Sequence, residues 1–144
     1  MVVVLACCSD ENDSGLSGND GDDSVFLDNQ VAKLCKSSWK LYGFGTNDSQ
    51  IRRAEPSECS SCYVVKFNLD GTFSGKTTSN EFFGNYSTDE RNLKIDSYST
   101  TKVGEVGDGY LFDEAFRAAN LYEITDGKLK LYYNDSDFLI FNPQ

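Results

Sequence analysis

The five cysteines are the residues of this sequence with the widest range of possible chemistry. Cys59 and Cys62 form a C-x-x-C motif, which elsewhere serves thiol exchange or zinc binding. A redox-active C-x-x-C begins a helix, whereas the YVVKFNL that follows Cys62 has the composition of a strand. The chain has no histidine, and Cys35 would be the third zinc ligand of an incomplete set. The sequence therefore favours one structural disulfide, from Cys35 to Cys59 or to Cys62, formed in an oxidising compartment.

The lack of histidine also limits catalysis. Neither a Ser-His-Asp nor a Cys-His arrangement can be built. The remaining acid and base candidates are carboxylates, namely Glu81, Glu105, Asp108 and Glu114. Their spacing selects no pair, and all four also fit solvated surface or helix-end charges. We therefore predict no enzymatic activity, no cofactor and no bound metal.

The negative charge is concentrated at the N-terminal end of the chain. The net charge is −10, which argues against nucleic-acid binding because such binding depends on Lys and Arg. Residues 1–30 hold seven acids and no base, while the rest of the chain holds sixteen acids and thirteen bases. Residues 9–30 are rich in Gly, Ser, Asp and Asn, and we predict a flexible, disordered acidic tether there.

An apolar run, Met1–Ala6, leads directly into Cys7 and Cys8 and then into the acidic tether. This order is similar to the end of a bacterial lipoprotein signal peptide, with either cysteine as the lipidated residue. The alternative is a frayed terminus that carries two cysteines by chance. The run is shorter than a complete signal peptide and has no basic flank, so we expect the signal to begin upstream. We predict residues 1–8 to be the remnant of this signal and its lipobox.

The central stretch, Tyr63–Tyr86, predicts a β-hairpin. Tyr63, Val65, Phe67 and Leu69 alternate with more polar residues, as expected for a half-buried strand. The Asp70-Gly71 pair predicts a two-residue turn, after which Phe73 would resume the inward face. Short strands separated by turn signals at such intervals predict a small antiparallel barrel or sandwich.

The other elements are predicted on both sides of this hairpin. Trp39 and Leu41 should share one face of a first strand, and a polar loop should follow over Gly45–Pro56. Asp108 should cap a single amphipathic helix over Gly109–Ala119 that closes or plugs the barrel. Further strands are predicted at Leu93–Ile95, Thr100–Val106, Leu121–Thr125, Lys128–Tyr133 and Phe138–Phe141.

The order and spacing of several motifs carry a family resemblance. The motifs are Trp39-x-Leu41, Phe67-x-x-Asp70-Gly71-x-Phe73, Gly84-Asn85-Tyr86, Tyr122-x-Ile124 and Phe138-Leu139-Ile140-Phe141. Over about residues 37–143 the chain resembles the META domain (HslJ-like) family, in the form of a Bacteroidota-type lipoprotein. The family often has a cysteine where this chain has Ser79 and another near Glu105, so that disulfide is missing here.

The resemblance implies a mainly β (α+β) domain over residues 31–144, barrel-like and antiparallel, with one helix. It also implies a non-enzymatic lipoprotein of the bacterial outer membrane, lipid-anchored and either periplasmic or surface-exposed. Such a protein would bind or assemble with an envelope protein and be linked to envelope stress tolerance.

A second hypothesis is a binder of a small ligand or glycan at an aromatic-lined barrel mouth. Its candidate residues are Trp39, Tyr42, Phe44, Phe82, Phe83 and Tyr86. The same aromatic residues could instead fill the core, because small barrels are usually packed with side chains. An open cavity would favour the ligand, whereas a filled barrel with exposed apolar residues would favour the protein partner.

Overall fold

A computed structural model describes residues 30–48 and 50–144 of the chain. The predicted signal remnant, most of the predicted tether, and the lipidation candidates Cys7 and Cys8 lie outside the described residues. Within the described residues, no helix is long and apolar enough to cross a membrane.

The described chain forms nine strands and two helices. Helix α1 occupies residues 30–36, and helix α2 spans Gly109–Arg117. The strands are β1 (Ser38–Gly45), β2 (Ile51–Arg53), β3 (Val64–Phe67), β4 (Thr72–Lys76), β5 (Glu81–Asp89), β6 (Asn92–Thr100), β7 (Leu121–Thr125), β8 (Lys128–Tyr132) and β9 (Phe138–Pro143). The predicted polar loop therefore contains a short strand, β2, and the strand predicted over Thr100–Val106 does not form.

The strands make one antiparallel sheet that closes into a ring. The sheet order is β2-β1-β3-β4-β5-β6-β7-β8-β9, and β1 also pairs with β9. Strand β1 closes the ring because both of its edges are paired. One edge pairs with β3 over its first half and with β2 over its second half, and the other edge pairs with β9. The predicted barrel-like, mainly β domain is confirmed, and Val31–Leu34, whose sequence fits either a short helix or a strand, lies in helix α1.

The central hairpin has the predicted strands but a different turn. Phe67 pairs with Phe73, and Val65 and Phe67 are fully buried. The loop has three residues, Leu69, Asp70 and Gly71, and Gly71 alone adopts a positive φ, of 90°. This is the hairpin in which a type I turn is followed by a glycine bulge. Leu69 consequently lies in the turn and is exposed, so its predicted inward position is wrong.

Helix α2 plugs one end of the ring with aromatic side chains. The helix buries Phe112 and Phe116, and the Phe116 ring lies 5.1 Å from Phe82 and 5.3 Å from Phe73 between centroids. Edge-to-face and tilted contacts of this kind add to the free energy gained by burying apolar area. The helix ends at Arg117 rather than at the predicted Ala119.

The structure has one disulfide among the candidates Cys35, Cys59 and Cys62, as predicted, but its pairing differs from the predicted one. The disulfide joins Cys59 to Cys62, whose Cα atoms are 5.4 Å apart, so the predicted bond from Cys35 to either of them is wrong. A tight turn brings the pair together, since the Cys62 N–H donates to the Cys59 carbonyl. Cys35 is buried in the core, where its Sγ lies 3.2 Å from the Tyr86 hydroxyl.

Candidate functional site

The aromatic residues predicted to line a binding mouth do not form one exposed surface. Four of them belong to the buried core: Trp39, Phe44, Phe82 and Tyr86. Only Tyr42 (40% exposed) and Phe83 (57% exposed) reach solvent. Strands β3 and β4 separate the strands that carry these two residues. Closure of the sheet directs alternate side chains inward, which places the other four in the ring's interior.

The interior is filled with side chains. Phe67, Phe73, Phe112 and Phe116 are all buried and contact one another in a connected set of rings. Three cavities formed by described residues, of about 270, 100 and 330 Å³, are open to solvent. The outside of the ring is therefore where a ligand or partner could bind.

The ring has a seam between β6 and β7. Strand β6 pairs with β5 at eight positions but with β7 at one, Asn92 with Leu121. Two further backbone hydrogen bonds reinforce that point, from the Leu93 N–H to Asn120 and from the Tyr122 N–H to Arg91. Beyond it the strands separate, and no described strand pairs with the outer edge of β6 over residues 94–100.

The open edge of β6 presents backbone hydrogen-bonding groups. The Thr101 N–H donates to the Glu81 carbonyl at 3.0 Å, which turns the Thr101 backbone toward β5. Antiparallel pairing alternates, so the N–H and C=O groups of Tyr98 and Thr100 point to the outer edge. Within the described chain, these N–H and C=O groups make no hydrogen bond. Such an edge can pair with another extended chain.

Exposed apolar side chains flank this edge. Phe83 pairs across the sheet with the small residue Ser99, on the outer face. Val103 (61% exposed) and Tyr110 (66% exposed) line the 270 Å³ cavity together with Thr100, at the end of β6. We call the outer edge of β6 (residues 94–100) with Phe83, Val103 and Tyr110 the β6 surface.

The loop that carries Val103 is fixed by a carboxylate. Oε1 of Glu105 accepts hydrogen bonds from the Thr78 hydroxyl (2.7 Å) and the Ser79 N–H (3.2 Å), and Oε2 accepts from the Thr77 hydroxyl and the Asn80 amide (both 2.6 Å). Burial of the Glu105 carboxyl would raise its pKa, but these hydrogen bonds outweigh burial and lower the pKa. Glu105 thus joins its own loop to residues 77–80.

Asp108 fixes the other end of the same loop. Its side chain does not make the predicted N-cap hydrogen bond. Instead it accepts two bonds from the Arg52 guanidinium, at 3.0 and 3.2 Å, and one from the Glu55 N–H at 2.8 Å. Burial would raise the pKa of Asp108, but these hydrogen bonds and the Arg52 charge outweigh it and lower the pKa. The loop between the two carboxylates is therefore held at both ends.

The carboxylates considered for catalysis have structural or solvent roles. Glu105 and Asp108 already accept hydrogen bonds on both oxygens, while Glu81 and Glu114 are exposed. Among residues 30–48 and 50–144, no group of three or more Cys, Asp or Glu is arranged to hold a metal ion.

The sequence pattern does not predict the β6 surface. It predicts a strand over Thr100–Val106, but Val103 and Val106 are exposed and residues 101–106 have no regular structure. A signal was present in the sequence, because apolar Val103 and Val106 lie among Gly, Lys and Glu residues with no continuous apolar face.

Comparisons with known proteins agree with the fold. Residues 32–144 match the family model described as META domain. A DUF4847 family protein from Bacteroides vulgatus is similar in structure, with a TM-score of 0.64 and 17% identity over 79% of this chain and 99% of that chain. A protein from Burkholderia xenovorans gives a TM-score of 0.63 and 16% identity, over 79% of this chain and 87% of that chain. A search of curated proteins found no significant match.

Proposed function

We propose that this chain, which belongs to the META domain family, is a non-enzymatic protein of the bacterial cell envelope and binds a partner protein. The observation that carries the proposal is the open edge of β6 beside exposed apolar residues, on a ring whose interior is filled with side chains. The partner would be another envelope protein, and it would contribute an extended segment to the sheet.

The chemistry of the edge suggests how such a segment would bind. Its backbone would pair with the N–H and C=O groups of Tyr98 and Thr100, which supplies affinity without sequence specificity. A large apolar side chain opposite Ser99 would lie over that small residue and reach the exposed ring of Phe83. Specificity would come from this contact and from the cavity beside Val103 and Tyr110.

Two features support an envelope location. A disulfide such as Cys59–Cys62 persists in oxidising compartments, including the bacterial periplasm. The apolar run that ends at Cys7 and Cys8 is similar to a lipobox, so a lipid anchor in the outer membrane is part of the proposal. The predicted link to envelope stress tolerance would then act through the bound partner. The glycan-binding hypothesis is less favoured because most of its predicted aromatic residues are buried.

Photocrosslinking in the native envelope tests the proposal. A photoreactive amino acid at Ser99 should give one discrete adduct with another protein, whereas the same group at exposed Lys128, the first residue of β8, should give none. Thr100→Pro should abolish the adduct, because proline removes the outward N–H that the partner strand requires. Thr100→Val is the matched control, because it keeps that N–H and should keep the adduct.

Three results would contradict the proposal. The first is an adduct that persists in Thr100→Pro while the variant melts at the wild-type temperature. The second is equal crosslinking from Ser99 and Lys128. The third is an adduct of twice the mass of the chain, which would identify a second copy of this protein as the occupant of the edge.

A further inference from the structure

A second surface feature, on β1 and β2, concentrates positive charge. Lys40, Tyr42, Arg53, Ser57 and Asn142 contribute the polar part of a cavity of about 100 Å³. Among the described residues that line this cavity, none is Asp or Glu.

Lys40 is held in place by the disulfide turn. Its Nζ donates to the carbonyl oxygens of Cys59, at 2.6 Å, and of Cys62. Lys40 and Arg53 line the same cavity, and burial and the positive charge of Arg53 both lower the pKa of Lys40. An ammonium group has three N–H donors, so one remains for a ligand.

Arg53 supplies the second cation. Its guanidinium lies over the Tyr42 ring, 4.5 Å from the ring centroid, which orients the group at the cavity. The salt bridges in the described chain are Arg52–Asp108 and Arg117–Asp113, so Arg53 has no ion-pair partner there. The neighbouring Arg52, in contrast, has both terminal nitrogens bonded to Asp108.

We infer that the Lys40–Arg53 cavity binds a phosphate group. A phosphate would relieve the repulsion between the two cations and accept a bidentate contact from the Arg53 guanidinium. Further donors are the Lys40 ammonium, the Ser57 hydroxyl and the Asn142 amide. This number of donors suits a phosphate group, which has three acceptor oxygens, better than a carboxylate, which has two. The cavity, of about 100 Å³, is open to solvent and has room for a phosphate group. The group could belong to a soluble phosphate or to a lipid headgroup.

Titration of the full chain with inorganic phosphate, followed by amide NMR shifts, tests the site. We expect saturable shifts at Tyr42, Arg53 and Asn142, which sodium chloride at equal ionic strength does not reproduce. Arg53→Gln should weaken binding about tenfold or more, because it removes the bidentate contact. Arg52→Gln is the matched control, with the same change at the adjacent position, and should bind phosphate as the wild type does.

Vesicles distinguish the two sources of the phosphate group. A lipid headgroup would be indicated if the chain binds phosphatidylglycerol vesicles, if Arg53→Gln abolishes that binding, and if inorganic phosphate competes with it. Saturable phosphate binding without vesicle binding would indicate a soluble phosphate. Absence of saturable shifts in the wild type, or equal weakening by Arg52→Gln and Arg53→Gln, would overturn the inference, since either result leaves only general charge attraction.

Discussion

Replacement of Glu105 by glutamine tests whether one carboxylate holds the loop of the β6 surface. Both oxygens of Glu105 accept two hydrogen bonds each. A glutamine amide keeps one acceptor oxygen and places an NH₂ group at the other position. The threonine hydroxyls can rotate to accept from that group. The Ser79 N–H and the Asn80 amide N–H cannot accept a hydrogen bond. Whichever way the glutamine amide is turned, its NH₂ group would therefore face one of these two donors.

The cost can be worked out from these contacts. Hydrogen bonds to a charged group contribute ~1.5–3 kcal/mol each, and an unsatisfied donor costs ~1–3 kcal/mol. Glu105 is only partly buried, which favours the lower end of both ranges. We expect Glu105→Gln to lower the free energy of unfolding by about 2–3 kcal/mol at pH 7, measured by urea denaturation. Glu114→Gln, at an exposed position on α2, should change it by no more than about 0.5 kcal/mol.

The pH dependence gives a second, independent measurement. The folded-state pKa of Glu105 is lowered, so its stabilising contribution is complete above the unfolded-state pKa of about 4.3. The contribution is lost as the pH falls through the folded-state pKa. Glutamine does not titrate, and therefore the stability difference between wild type and Glu105→Gln should narrow below about pH 4.3. Equal stability at pH 7, or a difference that does not change with pH, would refute the assigned role of Glu105.

Two further predictions concern the core and the anchor. Phe67→Ala should leave a cavity at a fully buried site and lower the free energy of unfolding, measured by urea denaturation, by about 3–5 kcal/mol. The same change at exposed Phe83 should lower it by no more than about 0.5 kcal/mol. Equal losses would mean that the sheet faces are assigned wrongly. Mass spectrometry of the protein from its native envelope should find acyl chains on Cys7 or Cys8. If both cysteines are unmodified, the lipid anchor is ruled out.

The period-two patterns and the turns could be predicted because they depend on neighbouring residues. Trp39 and Leu41 lie on the buried face of β1, and Leu129 and Leu131 on that of β8, as their alternation indicates. Asp126 and Gly127 form the predicted turn with φ values of 57° and 76°. These features follow from backbone sterics and from the need to bury one face of each strand.

Contacts between distant segments could not be predicted in the same way. Asp108 has the sequence context of a helix cap, yet its partner is Arg52, 56 residues earlier in the chain. Glu105 is a possible catalytic acid by residue type, but its carboxylate accepts hydrogen bonds from residues 25–28 positions away. Nothing local in the sequence specifies such partners, because loop closure brings them together only when the sheet has formed.

The sequence by itself therefore determined the β-rich class, the strands with strong alternation, the α2 helix and the family. The tertiary structure decided which of two adjacent rings, Phe82 or Phe83, is buried, because that depends on which face of β5 turns toward the interior. It also decided that β6 and β7 separate after one pair, because the alternation within each strand does not specify how far two strands stay paired. The open edge on which the proposed function rests is a property of ring closure, and no single segment of the chain encodes it.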